Sequence, residues 1–428
     1  RSPDFPSCRP LAFFLENPIL VAANPDTVNT VTDGTDYQNA DDSTGAIYAK
    51  SSLTFCGDGT LNVNGYTKFG ILSKKDILVM SGTLTVHSAD VGIKGKDSLT
   101  VTDGTITVVS GNDGLKSDND TDAGCGVVNI LGGSITVNMT SSVAVSGSDT
   151  IKPACIRGKD YVKMTEGSLN LTSTGMGGKG ISSDGNGYFY GGTLDVTVTG
   201  SNFGSSGGGG GPGGWGNSSS NGVSAKGLKF DGNLIFKGSK VTVNCTAHEG
   251  IEAKGTLSVS SGEVYSHSQS DDAINSGGNL TISGGLVCAY SQGNDGLDAN
   301  GNCYIKGGVV YAIGTRSPEV AVDANSEGGY TLYLTGGTVV AIGGLESGSS
   351  LSQSCYSASS WSPNTMYGLS VGSSTYAFKT PSSGGTPLVV SGGSTPTLQS
   401  NVTVAEGTEC FEGLFYIDAR SEEHTSEL

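Results

Sequence analysis

The chain has 428 residues, with 40 acidic against 23 basic side chains and a net charge of -17. That balance argues against a nucleic-acid partner, whose phosphates it would repel. It is compatible with divalent cations and neutral sugars, while an acidic polymer would require a local basic patch or a bridging metal. Sixty-nine glycines without collagen's strict triplet exclude collagen, and no apolar run reaches the roughly 18 residues of a membrane-spanning helix.

The first 25 residues read as a truncated or non-native leader. "LAFFLENPILVAA" (11–23) has the apolar character of a signal-peptide core, but Glu16, Asn17 and Pro18 interrupt it. Nine cysteines show no C-x-x-C spacing, so buried single thiols are expected rather than a zinc cluster.

From residue 26 to 346 the chain repeats with a period of about 23. A small residue followed by an apolar one recurs as "GAIYAK" (Ala46), "FGILSK" (Gly70), "VGIKGK" (Gly92), "DGLKSD" (Gly114), "ACIRGK" (Cys155) and "KGISSD" (Gly180). It continues as "KGLKFD" (Gly227), "EGIEAK" (Gly250), "DAINSG" (Ala273), "DGLDAN" (Gly296) and "VAVDAN" (Ala321). Each copy adds a short strand such as "SLTV" (98–101), a turn glycine and a second strand such as "DGTITVVS" (103–110). Short strands rich in β-branched residues and closed by glycine turns are β signals, and a period of 23 leaves no room for a helix. The expected fold is all-β: a right-handed parallel β-helix of about eleven coils. At ~4.8 Å per coil it would stack to roughly 50 Å. A β-propeller, which needs about forty residues per blade, does not fit.

Two insertions break the period, the Gly/Ser-rich stretch 201–222 around Trp215 and the shorter "VAVSGSDTIKP" (143–153). The first lacks the G-K-[ST] ending of a phosphate-cradling loop and reads as a spacer or a sugar-stacking tip. Residues 347–419 read as a β-rich cap over an open sheet edge. The final "RSEEHTSEL" (420–428) resembles the in-frame translation of a sequencing-library adapter and carries no fold expectation.

Stacking the repeats converts sequence into surface. Leu115 should point inward and Lys116 outward. The residues equivalent to Lys116 form a column that begins Tyr48, Leu72, Lys94, Lys116, Arg157, Ser182, Lys229 and ends Glu252, Asn275, Asp298, Asp323. A second column includes Asp113, Lys179, Lys226, Glu249, Asp272 and Asp295. Both change sign along the chain. Like charges stacked opposite one another are destabilising, so either cross-column pairing or a ligand is required. The candidate ligand-binding band is Lys94, Lys116, Arg157, Lys179, Lys226 and Lys229, which would meet the carboxylates of an acidic polysaccharide. The competing reading is that Lys116 pairs with Asp113 and the rest are solvated.

"GNDGLKSDNDTDAG" (111–124) gathers Asp118, Asn119, Asp120 and Asp122 in the turn after Lys116, near Asp97 and Asp113. Calcium takes about six to eight oxygens at roughly 2.3–2.6 Å, and this turn offers several. It is not an EF-hand, because Ala123 and Asn129 occupy the positions of the required Gly and Glu. "GNDGLDANG" (293–301), with Asp295 and Asp298, is a second candidate metal site, although such turns use Asn and Asp for left-handed geometry in any case.

The run "VGIKGKDSLTVTDGTITVVSGNDGLKSDND" (91–120), with "NTVTDG" (29–34), resembles a bacterial family named for carbohydrate binding whose members are pectate-lyase-like parallel β-helices. The resemblance implies a secreted or surface-displayed protein that binds plant cell-wall polysaccharide, including polygalacturonate, and carries calcium. It places calcium ligands in Asp/Asn turns matching Asp113, Asp118, Asn119 and Asp120. Val91 departs from the usual aspartate, and the strand expected before "NTVTDG" is not evident. A monomer is expected. Binding without catalysis is the favoured reading, against a pectin lyase using Lys94, Lys116 or Arg157 as base, a hydrolase built on Asp271–Asp272, or a structural stalk. Shared fold with lyases does not by itself imply activity.

Overall fold

The computed structural model describes residues 19–23, 28–33, 44–146, 149–204 and 222–423. The chain divides into two compact units, residues 1–233 and 234–428. Among the described residues there are strands, turns and one 3-10 turn at Ser326–Gly328, but no α-helix. Most of the leader, the middle of the Gly/Ser-rich insertion with Trp215, and residues 424–428 with His424 lie outside the described residues.

In the first unit strands recur in threes. One triplet is Asp76–Val79, Thr83–Ser88 and Ile93–Gly95, and the next is Ser98–Val101, Thr105–Ser110 and Leu115–Ser117. Each strand pairs in parallel with its counterpart one repeat away: Leu99↔Ile77, Ile106↔Leu84 and Leu115↔Ile93. The result is three parallel ladders of all-β structure, compatible with a β-helix. Side-chain alternation supplies the core: Ile77, Leu99, Val128 and Val162 are stacked and fully buried along one ladder. Burying each such side chain contributes about 1.5–3 kcal/mol, and only neighbouring repeats can provide the cover.

The small residue of each repeat has a steric cause. A Cβ on Gly92 would lie 2.4 Å from Cγ1 of Val108 and 2.7 Å from the carbonyl oxygen of Gly114. Gly70 meets the same crowding from Val86 and Gly92. The backbone there runs against both the neighbouring ladder and the next repeat, which is why larger residues are absent from the column.

Residues 19–23 form a strand, Ile19–Ala23, parallel to Leu53–Gly57. The strand expected before "NTVTDG" is therefore present, supplied by the apolar run that follows Pro18. The insertion at 143–153 contains a short antiparallel pair, Ala144–Ser146 with Asp149–Ile151. Cys56 is disulfide-bonded, unlike the expected single thiols, whereas Cys155, Cys245, Cys288 and Cys303 are buried free thiols.

In the second unit the two strands read separately from each repeat run together. "TLSV" and "SGEVYSHS" become the single strand Leu257–Ser268, flanked by Leu234–Cys245 and Leu280–Ser291. The turn glycine survives as a bend within the strand: Gly262 holds φ of +92° and Gly285 of +82°, the left-handed region that favours glycine. The last long parallel strand, Leu332–Ile342, is paired along its other edge by the antiparallel strand Leu388–Gly392. Beyond it Met366–Val371, Ser374–Lys379, Pro396–Ser400, Val402–Cys410 and Phe415–Glu423 form an antiparallel sheet. Residues 420–423 continue its final strand, with Arg420 opposite Glu406 and Glu423 opposite Val402.

Candidate functional site

The charged column is a real ladder. Tyr48, Leu72, Lys94, Lys116, Arg157, Ser182 and Lys229 are consecutive parallel partners. The repulsion among its cations is met by interleaved carboxylates. Lys94 Nζ lies 2.6 Å from Asp118 Oδ2, and Lys116 Nζ lies 3.0 Å from Asp113 Oδ2 and 3.7 Å from Asp118. Arg157 Nε donates to Asp113 at 3.0 Å, and Lys229 pairs with Asp231. These four cations already have carboxylate partners.

Asp113 is the centre of that network. Its Oδ1 also accepts the Ala154 N–H at 2.8 Å. Burial pushes its carboxyl up, but Arg157 and Lys116 outweigh burial and hold its pKa below the usual range. Lys179 and Lys226 are buried and adjacent in their own ladder. Lys179 Nζ donates to the Gly177 carbonyl at 3.1 Å. Burial, then the nearby cations Arg157, Lys226, Lys229 and Lys152, pull its pKa down to about 7.

The 113–122 turn does not bring its carboxylates together. Asn119 Nδ2 sits between two of them, donating to Asp97 at 2.6 Å and to Asp122 at 2.9 Å. The amide cannot be reversed without loss, since its Oδ1 accepts from the Thr121 and Asp122 backbone N–H groups and the Thr121 hydroxyl. Lys75 covers the second oxygen of Asp97 at 3.0 Å. Asp120 lies on the wall of an open surface cleft with Asp122, Lys159 and Asp160. Asp97 and Asp122 are thus both engaged by the chain's own donors.

The second unit presents the opposite situation. Asp295, Asp298 and Asp323 offer carboxylate oxygens that all lie within 4.8 Å of one another. The ladder Glu252, Asn275, Asp298 sets their register, and Val322 bridges to Leu297 so that Asp323 stands one repeat beyond Asp298. Asn275 Nδ2 bridges Asp272 at 3.0 Å and Asp298 at 2.6 Å, and Asp295 accepts the Val320 N–H at 2.6 Å. Neither Lys nor Arg is an ion-pair partner of these three among the described residues. Burial, then neighbouring carboxylates, raise Asp295 to about 8, and burial is the leading cause that raises Asp298 to about 6 and Asp323 to about 10. Three acids that cannot readily ionise together are what a cation would relieve.

Sequence reading named Asp295 and Asp298 but missed Asp323 as their third partner, although it stood in the same column. It also missed a neighbouring group. His248 Nδ1 contacts Asp271 Oδ2 at 2.8 Å and also Glu249. Burial lowers the imidazole pKa, but the two carboxylates outweigh it and raise it to about 9. Asp271–Asp272 does lie in a turn, between Leu257–Ser268 and Ile274–Ser276. Asp271 is held by His248, and Asp272 accepts the Asp295 N–H at 3.1 Å.

The parallel ladders and the charged columns define an all-β chain with polar faces. Residues 10–273 match the model of the family described as carbohydrate-binding domain-containing protein, and the chain belongs to that family. No curated protein matches it. Among solved structures it is similar to "polysaccharide lyase-like protein from C. thermocellum", in a gadolinium derivative. The likeness has 24% identity and a TM-score of 0.34, covering 40% of this chain and 64% of that one. The chain thus spans less than two thirds of that protein's length. No helix among the described residues is long and apolar enough to cross a membrane.

Proposed function

We propose that the protein is a non-catalytic binder of acidic plant cell-wall polysaccharide. In this reading the ladders are coils of a right-handed parallel β-helix, about eleven in number, and residues 347–419 cap it. It works outside the cell as a monomer, a setting with which the disulfide at Cys56 accords. Membership of a carbohydrate-binding family over residues 10–273 is the observation that carries it. In this reading calcium, a hard cation that prefers oxygen ligands, sits at Asp295, Asp298 and Asp323, whose oxygens lie within 4.8 Å of one another and have no Lys or Arg partner among the described residues, rather than in the 113–122 turn, where Lys75 and Lys94 hold Asp97 and Asp118. A bound cation also offers a chain of net charge -17 a means of engaging an anionic polymer.

The test is calorimetric titration of polygalacturonate into the full chain, with calcium and with chelator, while following absorbance of unsaturated products. Calcium-dependent heat without new absorbance is the expected outcome. Rising absorbance would replace binding with lyase chemistry. Absence of heat and product in both buffers would remove the acidic-polysaccharide reading.

A further inference from the structure

We propose that the sugar-contacting surface of the first unit is a tyrosine patch, Tyr161, Tyr188 and Tyr190 with Lys163, and that its ligand is a uronic-acid chain. The inference rests on the polysaccharide-binding reading above. It moves the contact from the column of ion-paired cations to a different ladder.

The patch follows from strand alternation. Along Tyr161–Met164, Val162 and Met164 are fully buried, while Tyr161 and Lys163 are partly exposed. Along Asn186–Phe189 and the residue after it, Phe189 is fully buried, and Tyr188 and Tyr190 face outward, Tyr190 with 39% exposure. In the ladder Lys163 stands between Asn129 and Tyr188, and Tyr161 stands beside Asn186. One outward face thus carries three phenol rings, a lysine and two amides within three consecutive strands.

The rings are arranged openly. Tyr161 and Tyr188 meet edge-on, with centroids 5.8 Å apart and planes at 72°. Tyr188 and Tyr190 are 6.0 Å apart and tilted by 52°. At such angles a ring edge rather than a ring face meets the neighbour, and no two of these rings are stacked face to face. The second unit provides the contrast. Tyr304 and Lys306 repeat the Tyr-x-Lys spacing, but Tyr304 is stacked on Tyr333 at 5.1 Å and 9°, and Lys306 lies over Tyr304 at 4.7 Å. There the ring faces serve the protein's own packing.

Lys163 selects the class of ligand. Its Nζ lies 5.9 Å from the Tyr190 ring centroid, within cation–π reach. Unlike Lys94, Lys116, Lys159 and Lys229, it has no carboxylate ion-pair partner among the described residues. A cation without a carboxylate partner, beside outward-facing tyrosines that are not stacked face to face, complements a pyranose chain that carries a carboxylate: the C–H faces of the sugars lie on the tyrosines, and a uronate reaches Lys163. A neutral glycan would use the rings and leave the lysine without a role.

The test compares Tyr190→Ala, Lys163→Gln and, as a control on the closed stack, Tyr333→Ala, each titrated with polygalacturonate and with its methyl ester in calcium buffer. Circular dichroism and melting curves establish that each variant is folded, and Tyr190→Ser, which also removes the ring, serves where the alanine variant is not. The expected result is an affinity about tenfold lower for Tyr190→Ala with both polymers. Lys163→Gln should lose about three- to tenfold with the acid form and nothing with the ester, and Tyr333→Ala should match wild type. Folded Tyr190 and Lys163 variants that bind as wild type would overturn this assignment while leaving polysaccharide binding intact. A wild-type protein that binds neither polymer would overturn the underlying function itself.

Discussion

Arg157 donates from Nε to Asp113 at 3.0 Å across the step from one repeat to the next, so a pair 44 residues apart in sequence ties neighbouring rungs of a ladder together. Asp113 is almost wholly buried and also receives Lys116 and the Ala154 N–H. Removing one partner of a buried pair leaves an uncompensated charge, which typically costs about 3–5 kcal/mol. Because Lys116 remains, Arg157→Ala should cost about 2–3 kcal/mol in denaturant unfolding. Asp113 has a depressed carboxyl pKa in the fold, so its contribution is present above the unfolded carboxylate value and disappears as pH falls through the folded one. Asp113→Asn should therefore flatten the acid limb of the stability profile.

Lys179 acts in the opposite sense. Its pKa is about 7 in the fold against 10.5 for the free side chain. Between those values the unfolded chain binds the extra proton, so stability rises with pH across that window. Lys179→Met should melt a few degrees higher than wild type at pH 6, and that advantage should shrink steadily as pH rises above 7. Melting curves at four or five pH values would decide it; an unchanged slope would show that Lys179 is not the titrating group.

His248 runs against Lys179. Held by Asp271 and Glu249, it titrates near 9 rather than 6.5. Its stabilisation is complete below 6.5 and is lost as pH rises through about 9. Where the windows overlap the two groups oppose each other, so the wild-type profile should look flat. His248→Gln should expose the Lys179 rise. NMR titration of the His248 ring, with an inflection well above 6.5, checks the assignment independently.

Calcium should act on the second unit. At a calcium concentration about 100 times the dissociation constant, a site present only in the folded state adds about 2.7 kcal/mol. Asp298→Asn removes one of three mutually repelling acids, so it should raise the melting temperature in chelator and abolish the increase that calcium gives to wild type. Isothermal titration with calcium alone gives the stoichiometry. A full calcium response in Asp298→Asn would remove this site from consideration.

The ladders were legible because the period is a property of the backbone. The column Lys94, Lys116, Arg157, Ser182, Lys229 emerged from aligning glycines, and the register of the strands matches it. What those side chains touch was not legible. Whether Asp113 neutralises Lys116 or coordinates a metal depends on a distance between repeats that residue types do not encode. The Asn119 amide illustrates this: as a letter it is an oxygen donor for calcium, and in place it turns its nitrogen toward Asp97 and Asp122. Asp323 was in view yet unassigned, because its approach to Asp295 is set by a single bridge, Val322 to Leu297. The tyrosine face was missed for a different reason. Outward positions were followed on one ladder alone, although "YVK" (161–163) and "YFY" (188–190) carry the alternation that would have revealed the other.

The antiparallel strand Leu388–Gly392 along Leu332–Ile342 sets how the chain would fail if cut short. A protein ending at Ile342 would expose a row of free N–H and C=O groups, and with them the apolar face of Tyr311, Val340 and Ile342 that now packs on Phe378, Leu388 and Phe415. Its defect would include self-association through that edge and face, with a dependence on protein concentration that no melting curve of the intact chain would forecast.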